Sequence, residues 1–170
     1  MLDKKIVSLI NDQINKEFYS SFFYLDMANY YTDENLNGFA NWFNIQTQEE
    51  YAHAMLFLKY LQVNGEKVVL ETIEKPTVRF QSHKHPLTAA YDHELLVSKS
   101  INDIYAVAFE QKDFKTMQFL DWFVKEQMEE EQNVDELCKR FDLFGTDPRG
   151  LYMLDQELAG RVFTPPSLVL

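Results

Sequence analysis

Cysteine occurs once in the 170 residues, as Cys138. A single thiol allows no internal disulfide and no CxxC zinc or rubredoxin-type site, and Cys138 reads as a small buried helix residue. Glycine and proline are scarce, five of each, and clustered, which leaves long stretches free of helix breakers. Positive charge is short as well, with 16 Lys+Arg against 27 Asp+Glu and a formal net charge of −11. Nucleic acid is therefore not an expected partner, whereas such a field attracts small cations. No apolar run approaches the roughly 18 residues of a membrane span. Met1-Leu2-Asp3-Lys4-Lys5 opens an amphipathic pattern without the apolar centre of a signal peptide. No membrane association is expected, and the expected setting is cytoplasmic. No internal period of solenoid length is present.

What is there is a globular composition, 46% hydrophobic and 15% aromatic, enough for one domain over 1–170 with a sizeable core. Four stretches repeat apolar residues at three and four positions, and none has a period of two. The pattern predicts helices over about 4–31, 36–63, 86–111 and 114–144, then a short one over about 148–159 and an irregular tail over 160–170 with Pro165-Pro166. Thr32-Asp33-Glu34-Asn35 breaks the first helix and offers caps to the second. Asn64-Gly65 and Gly145 are stops, Pro86 suits a first turn, and Asp113 is a candidate cap. Residues 65–84 form a long connection with Pro76 and a β-prone patch, Val68-Val69-Leu70. Twenty extended residues reach ~66 Å, and a 28-residue helix spans ~42 Å. The connection can therefore travel the length of a bundle and let its second and third helices run parallel. The expected class is all-α: a four-helix bundle with one long crossover and a short fifth C-terminal helix.

The chemistry centres on Gln46-Thr47-Gln48-Glu49-Glu50-Tyr51-Ala52-His53. Glu50 and His53 are three apart, so a helix places them on one face, one turn apart. Phe39, Phe43, Gln46, Phe57 and Tyr60 share that phase, so the pair interrupts an apolar stripe. The other stripes are interrupted too. They read Ile6, Ile10, Ile14, Glu17, Ser21, Tyr24, Ala28; then Leu87, Ala90, Glu94, Val97, Ile101, Ile104, Ala108; then Thr116, Leu120, Phe123, Gln127, Glu130, Val134, Leu137, Phe141. Each interruption lies near mid-helix, and mid-height residues of a bundle share one layer whichever way each helix runs. Four carboxylates, an imidazole and an amide should therefore converge inside the core. None of the stripes holds a lysine or arginine, and unpaired buried carboxylates are costly. A pair of divalent ions removes the cost, and oxygen ligands with one histidine suit iron or manganese better than structural zinc. This is the logic of carboxylate-bridged bundles. A hydrogen-bonded network that only fixes helix register, or a solvated set of acids, is the rival reading.

Tyr24 lies two turns from Glu17 and reads as a core tyrosine bonded to a carboxylate, an electron donor, or a group orienting Glu94. Trp122 borders the Phe123 stripe and reads as packing. Glu49, Glu126 and Glu129 fall on a wetter flank, as a solvated face or as a third, weaker metal site. His83, His85 and His93 read as surface or structural residues.

With these residues in place the chain resembles a bacterial non-haem ferritin, over its whole length. The resemblance implies a di-iron ferroxidase centre whose first site is Glu17, Glu50 and His53. Its second site is Glu50, as the bridge, and Glu94. Gln127 and Tyr24 match the family's nearby glutamine and tyrosine, with Gln127 counted among the metal-binding residues, and Glu130 matches the extra ligand of the bacterial non-haem group. Glu49, Glu126 and Glu129, with Glu130, resemble that group's third iron site. Bacterioferritins differ: they carry a second Glu-x-x-His, where three residues after Gln127 and Glu130 stand Glu130 and Asn133. Their haem methionine falls where this chain has Ala52, so no haem is expected. Rubrerythrins add a cysteine-rich domain that is absent here. The resemblance implies a homo-oligomeric cage of twenty-four subunits that oxidises ferrous iron with dioxygen or peroxide and stores ferric oxyhydroxide. Leu151, Leu154 and Leu158 of the fifth helix are expected around a symmetry axis. A non-storing di-iron oxidase or peroxide scavenger, and a catalytically silent bundle, are the other classes.

Overall fold

In the computed structural model, which describes residues 2–170, α1 spans Lys4–Asp33, α2 Asn37–Val63, α3 His85–Glu110, α4 Phe114–Phe144 and α5 Pro148–Leu158. The bounds lie within two residues of those the periodicity predicts. Asp113 caps α4 by accepting Thr116 N–H at 3.1 Å. The β-prone patch forms no strand. Val69 N–H instead donates to Asn11 Oδ1 at 2.7 Å, and the Asn11 and Asn15 amides donate to Lys67 and Thr72 carbonyls at 3.2 and 3.1 Å. The crossover's backbone groups are answered by amides of α1 rather than by a partner strand.

Every residue of the four stripes is buried. The apolar ones divide into two clusters. One gathers Phe23–Tyr31 of α1, Phe39–Phe43 of α2, Leu87 and Ala90 of α3, and Val134–Phe141 of α4. The other gathers Ile6–Ile14, Phe57–Leu61, Val97–Ala108 and Phe119–Phe123. Chain direction follows from this division. Both α2 and α3 begin in the first cluster and end in the second, so they run parallel, while α1 and α4 run the other way. The crossover begins where Glu66 accepts Leu2 N–H at 3.0 Å and ends where Tyr31 O–H donates to the His83 carbonyl at 2.5 Å. It thus travels the full length of α1. Helices α2 and α4 meet through stacked rings, Phe57 on Phe123 at 4.1 Å and Tyr60 on Phe119 at 4.0 Å between centroids.

Helix α5 closes the bundle. Leu154 and Leu158 are buried in the first cluster and Leu151 packs against it, so the apolar face of this helix is turned onto its own chain. The Thr32–Asn35 segment does not cap α2, which corrects one expectation. Its N-cap is Leu36, whose side chain makes no capping bond. The carboxylate of Asp155 on α5 accepts both Gly38 and Phe39 N–H, at 2.7 and 3.0 Å, and so supplies the cap from elsewhere in the chain. Glycine is required here, because a Cβ on Gly38 would lie 1.6 Å from the Asp155 carbonyl oxygen. Beyond α5 the tail is irregular but docked. Arg161 reaches α2, Ser167 bonds to Trp122, and Leu168 packs on the second cluster.

Candidate metal centre

Between the two apolar clusters lies a polar layer. It consists of Gln13, Glu17, Tyr24 (α1), Gln46, Glu50, His53 (α2), Glu94 (α3), and Gln127, Glu130 (α4), all buried. The i, i+3 spacing brings His53 Nδ1 to 3.8 Å from Glu50 Oε2. Glu17 joins them from α1: one ligand atom from each of Glu17, Glu50 and His53 lies within 4.8 Å of the others. His53 is held edge-on by Trp122 and Phe123, at 5.6 and 5.8 Å between centroids.

Two oxygens of this group, Glu17 Oε2 and Glu50 Oε1, are buried without a hydrogen-bond partner. Burial, then the charges of Glu94, Glu17 and Glu130, push the Glu50 carboxyl well above its usual range. The other Glu17 oxygen accepts from Gln13 Nε2 at 2.8 Å. Gln13 accepts from Ser100 O–H at 2.6 Å, and Ser100 in turn accepts from Lys16 at 2.9 Å. Gln13 was not anticipated from sequence. Its signal is a polar residue one turn before a buried glutamate on the same stripe.

Glu94 is held on both oxygens. Tyr24 O–H donates to Oε1, and Gln127 Nε2 donates to Oε2 at 2.9 Å. Burial raises Glu94 to about 7 despite these two bonds, and it raises the Tyr24 phenol well above its ordinary value. Glu130 accepts from Gln46 Nε2 at 2.9 Å, and burial, followed by Glu94 and Glu49, raises it to about 8. Glu94 and Glu130 thus stand in the layer but turn toward donors, outside the Glu17–Glu50–His53 group.

The wetter acids lie close enough to act on one another, since Glu49 is raised by burial and then by the charges of both Glu126 and Glu129. Glu126 Oε1 lies 3.9 Å from His53 Nε2, Glu129 is exposed, and Glu49 bonds to a cation no stripe contains. That cation is Arg161. One guanidinium nitrogen donates to Gln46 Oε1 at 2.5 Å and to Glu49 Oε2 at 2.7 Å, and the other donates to the Trp42 carbonyl at 3.1 Å. The guanidinium also lies over the Trp42 ring, 4.5 Å from its centroid. Residue 161 lies outside any helix, so no periodicity could place it. Of the histidines, His83 bonds to Glu34 at 2.9 Å and His85 accepts Gln81 N–H at 3.3 Å. His93 bonds to Ser20 at 2.8 Å among Tyr19, Phe23 and Tyr24, and burial lowers it to about 4. These are structural placements, as expected.

The donor set fits divalent iron. It offers hard carboxylate oxygens, two of them unanswered, and one imidazole. Among the described residues no helix is long and apolar enough to cross a membrane.

The family model described as a ferritin-like domain matches residues 7–144. A probable bacterial non-heme ferritin-like protein of Haemophilus influenzae is 35% identical over 158 residues, 93% of this chain and 96% of that one. A bacterial non-heme ferritin of Campylobacter jejuni is likewise 35% identical, over 93% of this chain and 95% of its own. Among solved structures, an open-pore ferritin from the hyperthermophilic archaeon Archaeoglobus fulgidus superposes with a TM-score of 0.93 at 38% identity, covering 95% of this chain and 100% of that one.

Proposed function

The chain belongs to the ferritin family, and on that premise we propose that it stores and detoxifies iron. In this reading residues 1–170 form one ferritin-like domain that oxidises Fe(II), and identical copies build a cage of twenty-four in the cytoplasm. Ferric oxyhydroxide collects inside. Exposed apolar side chains on α1 and the crossover (Phe22, Leu25, Val69 and Leu70) support burial between copies.

Ferrous iron is the substrate. Glu17 and His53 take one ion, Glu94 takes a second, and Glu50 bridges the two. Glu130 is the further ligand, and Glu49, Glu126 and Glu129 with it form a weaker third site. Tyr24 and Gln127 hold Glu94 in place, as Gln13 holds Glu17. Gln127 acts as a donor to Glu94, so its part is to orient a ligand. Entry of the ions releases the protons that Glu50, Glu94 and Glu130 retain when buried. Two ferrous ions side by side supply two electrons together. These reduce dioxygen to hydrogen peroxide, or peroxide to water, with uptake of two protons. Anionic oxygens favour the ferric product, which hydrolyses to the mineral.

The observation that carries this reading is the pair of unpartnered buried oxygens on Glu17 and Glu50 beside His53. An aerobic iron-loading experiment tests it. Excess ferrous salt is added to metal-free protein, and the iron co-eluting on gel filtration is counted. Hundreds of irons travelling with a very large assembly are expected. About two per chain, the capacity of one dinuclear site, overturns storage in favour of a di-iron oxidase or peroxide scavenger. None overturns both.

A further inference from the structure

We propose that Arg161 is a tethered counter-cation of the outer carboxylates, and that a third metal ion binds there only by displacing its guanidinium. This rests on the reading of the centre given above and adds a residue to it.

The geometry is specific. The guanidinium touches Glu49 directly at 2.7 Å. It also acts on Glu130 through one intermediary. Gln46 accepts from Arg161 with Oε1 at 2.5 Å and donates with Nε2 to Glu130 at 2.9 Å. Because an amide has one acceptor end and one donor end, anchoring its oxygen on Arg161 turns its nitrogen toward Glu130. One arginine therefore holds an oxygen of two acids that resemble third-site ligands, one by charge and one by relay. The other two acids, Glu126 and Glu129, have no such restraint.

The arginine is delivered, not free. Asn41 on α2 donates to the Leu158 and Arg161 carbonyls at 3.2 and 3.0 Å, Ser167 holds Trp122 at 3.1 Å, and Leu168 packs on the core. A metal ion at Glu49 and Glu130 competes with the guanidinium for the Glu49 oxygen and with the Gln46 amide for the Glu130 oxygen, and the displaced side chain swings out while Asn41, Ser167 and Leu168 still hold the backbone of the tail. Iron passing outward from His53 by way of Glu126 thus meets a site whose affinity the tail sets. Arg161 is a positioning residue: it touches ligands of iron rather than iron.

The test uses the assembled protein and zinc, a redox-inert divalent ion, in calorimetric titrations near pH 7. Wild type, Arg161→Gln and Arg161→Lys are compared. The two inner sites should titrate alike in all three. The third should tighten about tenfold or more in Arg161→Gln, and by less in Arg161→Lys, which keeps the charge but loses the fork. In wild type, trypsin cleavage after Arg161 should accelerate only once zinc exceeds two per chain, and Glu49→Gln should abolish that acceleration. Equal third-site affinities in wild type and Arg161→Gln overturn the inference and leave the inner centre standing. Absence of the two inner sites in wild type overturns the reading beneath it, and this inference with it.

Discussion

Gln13 donates its amide to one oxygen of Glu17 at 2.8 Å and leaves the other, buried, without a partner. The bond fixes which oxygen faces Glu50 and His53. Gln13 is itself tied to Ser100 on α3, so the orientation of the Glu17 carboxylate on α1 is set by the helix that carries Glu94.

Replacing Gln13 by Met removes that restraint at little change in volume. Affinity of the first site for zinc should fall about 10–100-fold, the usual cost of losing a partner behind a ligand, while the fold persists. Calorimetric titration reads the first number and circular dichroism the second. An unchanged affinity would mean that Glu17 needs no orientation.

Metal-free protein should lose stability as pH rises. Glu50 is raised, Glu94 stands at about 7 and Glu130 at about 8, against an ordinary 4.5. The folded chain keeps protons that the unfolded chain has already released. The contribution of these groups is complete below the ordinary value and disappears as pH rises through 7 and 8. His93 works the other way: lowered to about 4, it costs stability only as pH falls below its ordinary 6.5. Thermal midpoints in chelator between pH 6.5 and 8.5 therefore isolate the carboxylates. They should decline across that range, and zinc should restore them. A flat profile would show the layer already neutralised.

Glu50→Gln should separate function from folding. The amide removes the ionisable carboxyl and supplies a donor toward the unpartnered oxygen of Glu17. Iron oxidation followed by stopped-flow absorbance at low loading should slow more than about 100-fold, beyond the cost of an outer partner alone. The metal-free variant should be more stable than wild type at pH 8, by about 1–3 kcal/mol, since the amide needs no proton to be neutral in the buried layer, whereas the carboxyl must hold one that the unfolded chain releases. A normal oxidation rate would place the chemistry elsewhere.

Asp155→Ala should destabilise by about 2 kcal/mol, because the α2 N-terminus loses a buried carboxylate that serves two N–H groups. Gly38→Ala should do at least as much by a different route, since its Cβ has no room against α5. Denaturant unfolding measures both. A silent Asp155→Ala would mean that water replaces the cap.

The four stripes were legible because burial on a helix repeats every three or four residues, and a polar residue in that phase has to be buried. Glu17, Glu50, His53, Glu94, Gln127 and Glu130 all followed from that rule. The rule does not cover contacts made by residues outside the period. Asp155 caps a helix 117 positions away, and Arg161 enters from an irregular tail. The spacing of the α5 leucines shows an apolar face without showing that this chain's own bundle covers it. The missing positive charge was read correctly within the stripes, and the cation that does approach arrives from outside them.

The division of the core has a mechanical meaning. Two apolar ends are joined by a buried polar middle that holds four acids and unpartnered oxygens, so each long helix is packed by apolar contacts toward its ends and by weaker, partly unanswered polar contacts at its waist. Ordinary helices fray from their termini. Here amide hydrogen exchange in the metal-free protein should be fastest among the internal turns around Glu50 and Gln127, and metal should slow it there more than anywhere else. The cargo would then act as a rivet, fastening two short bundles into one.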